Sequence, residues 1–151
     1  MARSGESAVS FTYEFARPAL TVDLIVVTTE PIPRVLLIQR RDEPYVGQWA
    51  LPGGFVDENE PLEQAARREL AEETGLNLST LQQFATFGDP GRDPRGWTVS
   101  VVYFCRLSGS TPMVQAGDDA QNVGWFPVGN LPPLAFDHKH IIEQARVKLK
   151  L

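Results

Sequence analysis

The sequence predicts a layered α/β chain, and three observations carry that prediction. The stretch Trp97 to Leu107 is largely apolar on both faces of a strand: Val99, Val101, Tyr103, Cys105 and Leu107 share one, Ser100, Val102, Phe104 and Arg106 the other. A strand of that kind has to be covered on both sides. Two helices with one apolar stripe each are available to cover it, one from about Glu60 to Thr74 and one from about Asp137 to the C-terminus.

The remaining elements follow in chain order. Thr21–Thr29 and Val35–Arg40 are rich in β-branched and aliphatic residues and are separated by Pro31 and Pro33, which predicts two strands and a turn. The first helix has Asn59 as its expected cap, Pro61 in the first turn and Gly75 as its stop. Leu81–Phe87 and Val123–Val128 read as shorter strands, and Ile141, Ile142, Ala145 and Leu149 form the stripe of the second helix. With 151 residues and no internal repeat or long linker, the chain is expected to be one domain. Residues 1–14 are read as an N-terminal extension, either flexible or in a dimer contact.

Composition excludes several classes. Hydrophobic residues make up 42% and charged residues 22%, which argues against disorder, and no apolar run, Leu24 to Val27 included, is long enough for a bilayer. A formal charge of −5 offers no general field for a polyanion, so nucleic acid is not an expected partner and neither is a membrane. Cys105 is the single cysteine, which rules out an internal disulfide. Met1 to Phe11 lacks an apolar signal core, and a cytoplasmic location is expected.

The chemistry concentrates in the first helix. On a wheel of about 100° per residue, Leu62, Ala65 and Ala66 face inward, and Glu69 and Glu73 fall within about 20° of Leu62, with Glu72 at the edge. As a solvated surface, Arg68 and Glu72 would form an i,i+4 pair worth a few tenths of a kcal/mol. That accounts for Glu72 and leaves Glu69 and Glu73 unexplained. Buried carboxylates cost several kcal/mol each unless their pKa values rise or a cation sits between them. Hard carboxylate oxygens suit Mg²⁺ or Mn²⁺, ions that commonly accompany phosphate-bearing substrates.

These residues also carry a resemblance. Gly54, five residues, Glu60, seven residues, then Arg68-Glu69-Leu70-Ala71-Glu72-Glu73-Thr74-Gly75-Leu76 resembles the complete box of the Nudix hydrolases, with every specified position filled. The resemblance implies a Nudix fold of α/β (α+β) class, a mixed β-sheet sandwiched between helices, and Mg²⁺-dependent hydrolysis of a nucleoside diphosphate linked to another group. It further implies Gly53 (through its carbonyl), Glu69, Glu72 and Glu73 as metal ligands, Arg68 as the partner that orients a carboxylate, and Glu60 as the acid that steadies Arg68. The general base comes from the box helix or a later loop in that family, and Asp118 and Asp119 form the later acidic loop here.

Substrate choice is expected to lie outside the box. Gly88 to Trp97 is a loop stiffened by Pro90 and Pro94, and its Arg92 and Arg95 can grip phosphate bidentately. Trp49 and Phe55 are candidate aromatic contacts for a substrate ring. This loop, with Arg17–Asp23 and Pro133–His138, resembles the ADP-ribose pyrophosphatase branch, akin to the Nudix domains of NAD-metabolism proteins and ADP-ribose-sensing repressors. Pro90 and Pro94 bracket, without occupying, the place of a proline associated with ADP-ribose specificity. The repressors carry a DNA-binding domain after the Nudix domain, whereas this chain stops at Leu151. The expected activity is therefore hydrolysis of ADP-ribose to AMP and ribose 5-phosphate, with the cleaning of oxidised dNTPs or non-catalytic ADP-ribose sensing as alternatives. A homodimer is expected by analogy with the branch.

Overall fold

The computed structural model describes residues 9–109, 111–117 and 120–151. Seven strands and two helices follow in the order β1 (Ala19–Thr28), β2 (Arg34–Arg40), β3 (Trp49–Ala50), β4 (Gly53–Phe55), α1 (Leu62–Thr74), β5 (Gln82–Phe87), β6 (Thr98–Leu107), β7 (Ala120–Pro127) and α2 (His138–Leu149). The sheet is mixed, with strand order β3-β2-β1-β6-β5; β4 adds to β1 and β7 to β2. Helices cover both faces, as the two-sided apolar pattern of β6 requires.

The pleat sorts the core. Val101 and Tyr103 of β6 pack with Val22, Leu24 and Val26 of β1 under Ala65, Ala66 and Leu70 of α1. Val102 and Phe104 pack with Ile25 and Val27 against Ile141, Ile142 and Ala145 of α2. β1 and β6 run parallel in unbroken register from Ala19 opposite Thr98 to Thr28 opposite Leu107. Alternate residues of one long strand thus serve two helices. Ile141 and Ile142 are fully buried, so truncating either to alanine is expected to cost about 2–5 kcal/mol.

A split in this sheet creates the cleft. At its C-terminal end β1 pairs with β2, Val27 opposite Val35, while at its N-terminal end the same edge pairs with β4, through Thr21–Phe55, Val22–Gly54 and Asp23–Gly53. β2 diverges and is taken up by β7 and β3. Where β1 and β2 part, side chains of both strands face a common opening.

Several boundaries differ from those expected. α1 begins at Leu62; Pro61 (φ −59°, ψ 139°) is the cap residue, and Asn59 (φ 59°) occupies the preceding turn and caps nothing. Gly75 ends the helix as expected, in the left-handed conformation (φ 77°) with its N–H donating to the Ala71 carbonyl at 3.0 Å. β3 and β4 were not predicted, being two and three residues long and held by pairing with β2 and β1. Among the described residues, no helix is long and apolar enough to cross a membrane.

Candidate active site

Three carboxylates of α1, Glu69, Glu72 and Glu73, occupy three environments along one helix face. Glu73 is 6% exposed, and its Oε1 accepts the Gly53 N–H at 2.7 Å. The Glu69 side chain is mostly buried and accepts from Arg68 Nη1 at 2.8 Å. Glu72 is half exposed, 3.3 Å from the same Nη1. Burial pushes the Glu69 carboxyl above its ordinary value; Arg68 pulls it back and the Glu72 charge adds to the rise.

Arg68 is the hub of this cluster. It forks onto Glu60, with Nε to Oε2 at 2.7 Å and Nη2 to Oε1 at 2.9 Å, while Nη2 also donates to the Phe55 carbonyl at 3.1 Å. The Glu60 hydrogen bonds raise the Arg68 pKa above its already high value, so the guanidinium is permanently charged. Glu60 also accepts the Asp57 N–H at 3.1 Å, tying the turn before α1 to the same group. α1 and the β4 loop are thus fastened through one cation.

The glycines make that approach possible. A Cβ on Gly54 would lie 2.5 Å from Glu69 Oε1, and one on Gly53 would lie 2.1 Å from the Val22 carbonyl and 2.5 Å from Asp23 Oδ1. Glu69, Glu72 and Glu73 all border a cleft of about 580 Å³, together with Gly53 and Gly54. This donor set, all oxygen and partly desolvated, is chemically suited to a hard divalent cation. Among the described residues, no group of three or more His, Cys, Asp or Glu side chains is already gathered as a metal cage. The carboxylates are held by Arg68 and by the Gly53 amide instead.

Across the cleft, the loop Gly88–Trp97 supplies Arg92 and Arg95, both with committed guanidiniums. Arg92 is almost buried and forks onto Asp137 at 2.9 and 2.7 Å. Arg95 forks onto Asp93 at 3.1 and 2.8 Å, with its guanidinium carbon 4.8 Å from the Phe55 ring and 5.0 Å from the Phe136 ring. Burial alone would raise the Asp93 carboxyl, but the Arg95 hydrogen bonds bring it below its ordinary value. Phe55 lines the cleft. Trp49 does not; it packs edge-on against Phe126 at 4.6 Å, beside the α2 core.

Asp118 and Asp119 lie outside the described residues. Of their flanks, Gly117 approaches α1, its N–H donating to the Glu73 carbonyl at 3.1 Å, and Ala120 approaches the end of β2, its carbonyl accepting from Arg41 Nη2 at 3.4 Å.

Sequence reasoning missed a buried polar group beneath the cleft. Asp23 accepts from the Ser100 hydroxyl and lies 3.7 Å from His138 Nε2. His138 Nδ1 accepts the Leu51 N–H at 2.9 Å, and burial lowers the imidazole pKa, which leaves the ring neutral with its proton on Nε2. One signal was available: Asp23 interrupts an apolar strand, where a carboxylate needs a partner. Arg40, Arg41 and Phe136, which also line the cleft, gave no such signal.

The profile of the NUDIX domain family matches residues 17–145. An ADP-ribose pyrophosphatase of Methanocaldococcus jannaschii is 42% identical over 129 residues, covering 85% of this chain and 73% of the relative. An ADPR-responsive transcriptional repressor of Acinetobacter baylyi is 35% identical, covering 97% of this chain and 61% of its own. Among solved structures, the NUDIX domain of Shewanella oneidensis NrtR in complex with ADP ribose superimposes with a TM-score of 0.82 at 41% identity, covering 89% of this chain and 90% of that one. A bifunctional NMN adenylyltransferase/ADP ribose pyrophosphatase from Francisella tularensis, complexed with AMP and a manganese ion, matches with a TM-score of 0.79 at 32% identity over 90% of this chain and 43% of its own. With its complete box running from β4 through α1, its mixed sheet between two helices and a profile match along most of its length, the chain belongs to the Nudix family.

Proposed function

We propose that this chain is a pyrophosphohydrolase that cleaves ADP-ribose to AMP and ribose 5-phosphate. One observation carries it above all: the three box carboxylates and the two loop arginines come from separate elements and face one cleft. The kinship with an ADP-ribose pyrophosphatase and with an ADP ribose-bound domain supports the substrate.

In this reading, Glu69, Glu72, Glu73 and the Gly53 carbonyl hold Mg²⁺, for which Mn²⁺ can substitute. The bound ion would offset phosphate charge and acidify a water. Arg68, steadied by Glu60, keeps Glu69 and Glu72 from splaying apart. A carboxylate of α1, or Asp118 or Asp119, takes the proton as the water oxygen bonds to phosphorus and the bridging P–O bond breaks. Arg95 and Phe55 form part of the opposite wall. Arg92, spent on Asp137, positions the loop, and Trp49 has no part in binding.

We further place the chain as a single domain acting in the cytoplasm as a homodimer. Val9, Phe11, Tyr13 and Phe15 favour the dimer, since all are large apolar side chains left exposed at the N-terminal end. Turnover with Mg²⁺ across nucleoside diphosphate sugars, dinucleotides and oxidised dNTPs tests the assignment. ADP-ribose is expected to give the highest kcat/KM; damaged triphosphates outcompeting it would establish the pool-cleaning alternative. The likeness to a repressor's domain keeps a sensor as the second reading. Tight ADP-ribose binding without hydrolysis in Mg²⁺ or Mn²⁺ is its signature.

A further inference from the structure

The two loop arginines expected to grip phosphate are occupied by carboxylates of this chain. Arg92 is taken by Asp137, while Arg95 is forked onto Asp93 and flanked by Phe55 and Phe136. Apart from Arg68, which is committed to the α1 carboxylates and Glu60, two other cations line the same cleft, Arg40 and Arg41, where β2 ends. Among the described residues, neither lies within ion-pair distance of a carboxylate.

Their hydrogen bonds go to backbone carbonyls. Arg40 Nε donates to Pro44 O at 2.7 Å and Arg41 Nη2 to Ala120 O at 3.4 Å. Such contacts orient a guanidinium without neutralising it. Arg40 also rests on the Phe136 ring at 4.9 Å, the ring that Arg95 approaches at 5.0 Å. Phe136 itself has a φ of 53°, a costly conformation for a bulky residue, so its place is imposed by its neighbours. Burial and the Arg95 charge lower the Arg40 pKa, against the opposing pull of Glu73, Asp42 and Asp93. A part-buried cation beside a like charge is best satisfied by an incoming anion.

We propose that Arg40 and Arg41 are the diphosphate grip of this cleft, holding the substrate's anionic oxygens on the wall opposite the α1 carboxylates. Arg92 and Arg95 then act as the scaffold of that wall rather than as its phosphate contacts. The inference rests on the nucleoside diphosphate reading above, and the probes are chosen to separate the two.

Isothermal titration without divalent ions, using inorganic pyrophosphate and ADP-ribose as probes, tests it on the wild type and on Arg40→Gln, Arg40→Lys and Arg41→Gln, each checked by thermal melting. Arg40→Gln is expected to weaken both probes about 10- to 100-fold, the loss of a charge-assisted hydrogen bond, with Arg40→Lys recovering part of it. With Mg²⁺, KM should rise more than kcat falls. Folded Arg40→Gln and Arg41→Gln that bind pyrophosphate as tightly as the wild type overturn the proposal, as does a wild type with no affinity for either probe. Should Arg40→Gln fail to fold, the exposed Arg41 decides by the same criterion. Pyrophosphate binding that depends on Arg40, in a protein inert toward ADP-ribose, would support the grip and overturn the substrate assignment.

Discussion

The two walls of the cleft are built in opposite ways. The acidic wall is local: Glu69, Glu72 and Glu73 lie within five residues on one helix, the first two sharing one cation, Arg68, and the third accepting the Gly53 amide. The basic wall gathers Arg40 and Arg41 from the end of β2, Arg92 and Arg95 from the loop before β6, and Phe136 from the approach to α2. On the acidic wall Glu69 and Glu72 share a single guanidinium, and an added cation would relieve their mutual repulsion. On the basic wall each loop arginine has its own carboxylate, and among the described residues Arg40 and Arg41 have none within ion-pair distance, so the demand there is for an anion. A ligand that brings divalent ions to one side and phosphate oxygens to the other satisfies both.

The largest effect is expected at the acidic wall. Glu73→Gln retains an oxygen for the Gly53 amide but loses the charge, and turnover should fall by about 100-fold or more, the scale of losing a key acid–base or electrostatic group. Circular dichroism should show the fold intact; a fully active variant would refute the role given to this residue. In the wild type, removing divalent ions should lower Tm, since an ion at 100 times its Kd contributes about 2.7 kcal/mol.

Arg68→Gln comes next. Without this guanidinium, Glu69 and Glu72 lose their common anchor, and the Mg²⁺ concentration for half-maximal activity should rise about 10- to 100-fold, as for other supports of metal ligands. An unchanged Mg²⁺ requirement would mean that the hub serves the fold alone.

A smaller effect concerns pH. The Glu69 pKa is raised in the folded protein, chiefly by burial, so the proton is bound more tightly folded than unfolded. The resulting stability is present below the unfolded carboxylate pKa and is lost as pH rises through the folded one. Metal-free Glu69→Gln should therefore exceed the wild type in Tm near neutral pH and lose that advantage in acid. An advantage independent of pH would place its cause elsewhere than in this carboxyl.

The smallest catalytic effect is expected at Trp49. Trp49→Phe removes part of an edge-on contact with Phe126 and should lower stability, while the KM for ADP-ribose stays within about twofold because the residue does not face the cleft. A large rise in KM would return Trp49 to the basic wall.

Legibility followed locality. The acidic wall could be read from spacing, because a helix converts positions 69, 72 and 73 into one face by its own geometry. Both faces of β6 were likewise legible, since burial on two sides leaves an apolar run. The start of α1 was misplaced by two residues because Asn59 offers a cap that the turn, with φ 59° at that residue, does not use. β3 and β4 were missed because strands of two or three residues carry no periodicity. Arg92 and Arg95 were recognised as important side chains, but a sequence cannot show that Asp137, 45 residues away, already holds Arg92.

Sequence alone determined the family, the reaction class it implies, the layered architecture and the inward placement of Glu69 and Glu73. All of these depend on local geometry or on a motif of fixed spacing. Tertiary structure decided which cations remain available to an anion, which aromatic ring faces the cleft, and how Asp23, Ser100 and His138 come together beneath it. The physical reason is that β1 changes partner from β2 to β4 part-way along its length. That divergence opens the cleft and brings residues from distant parts of the chain to a single surface.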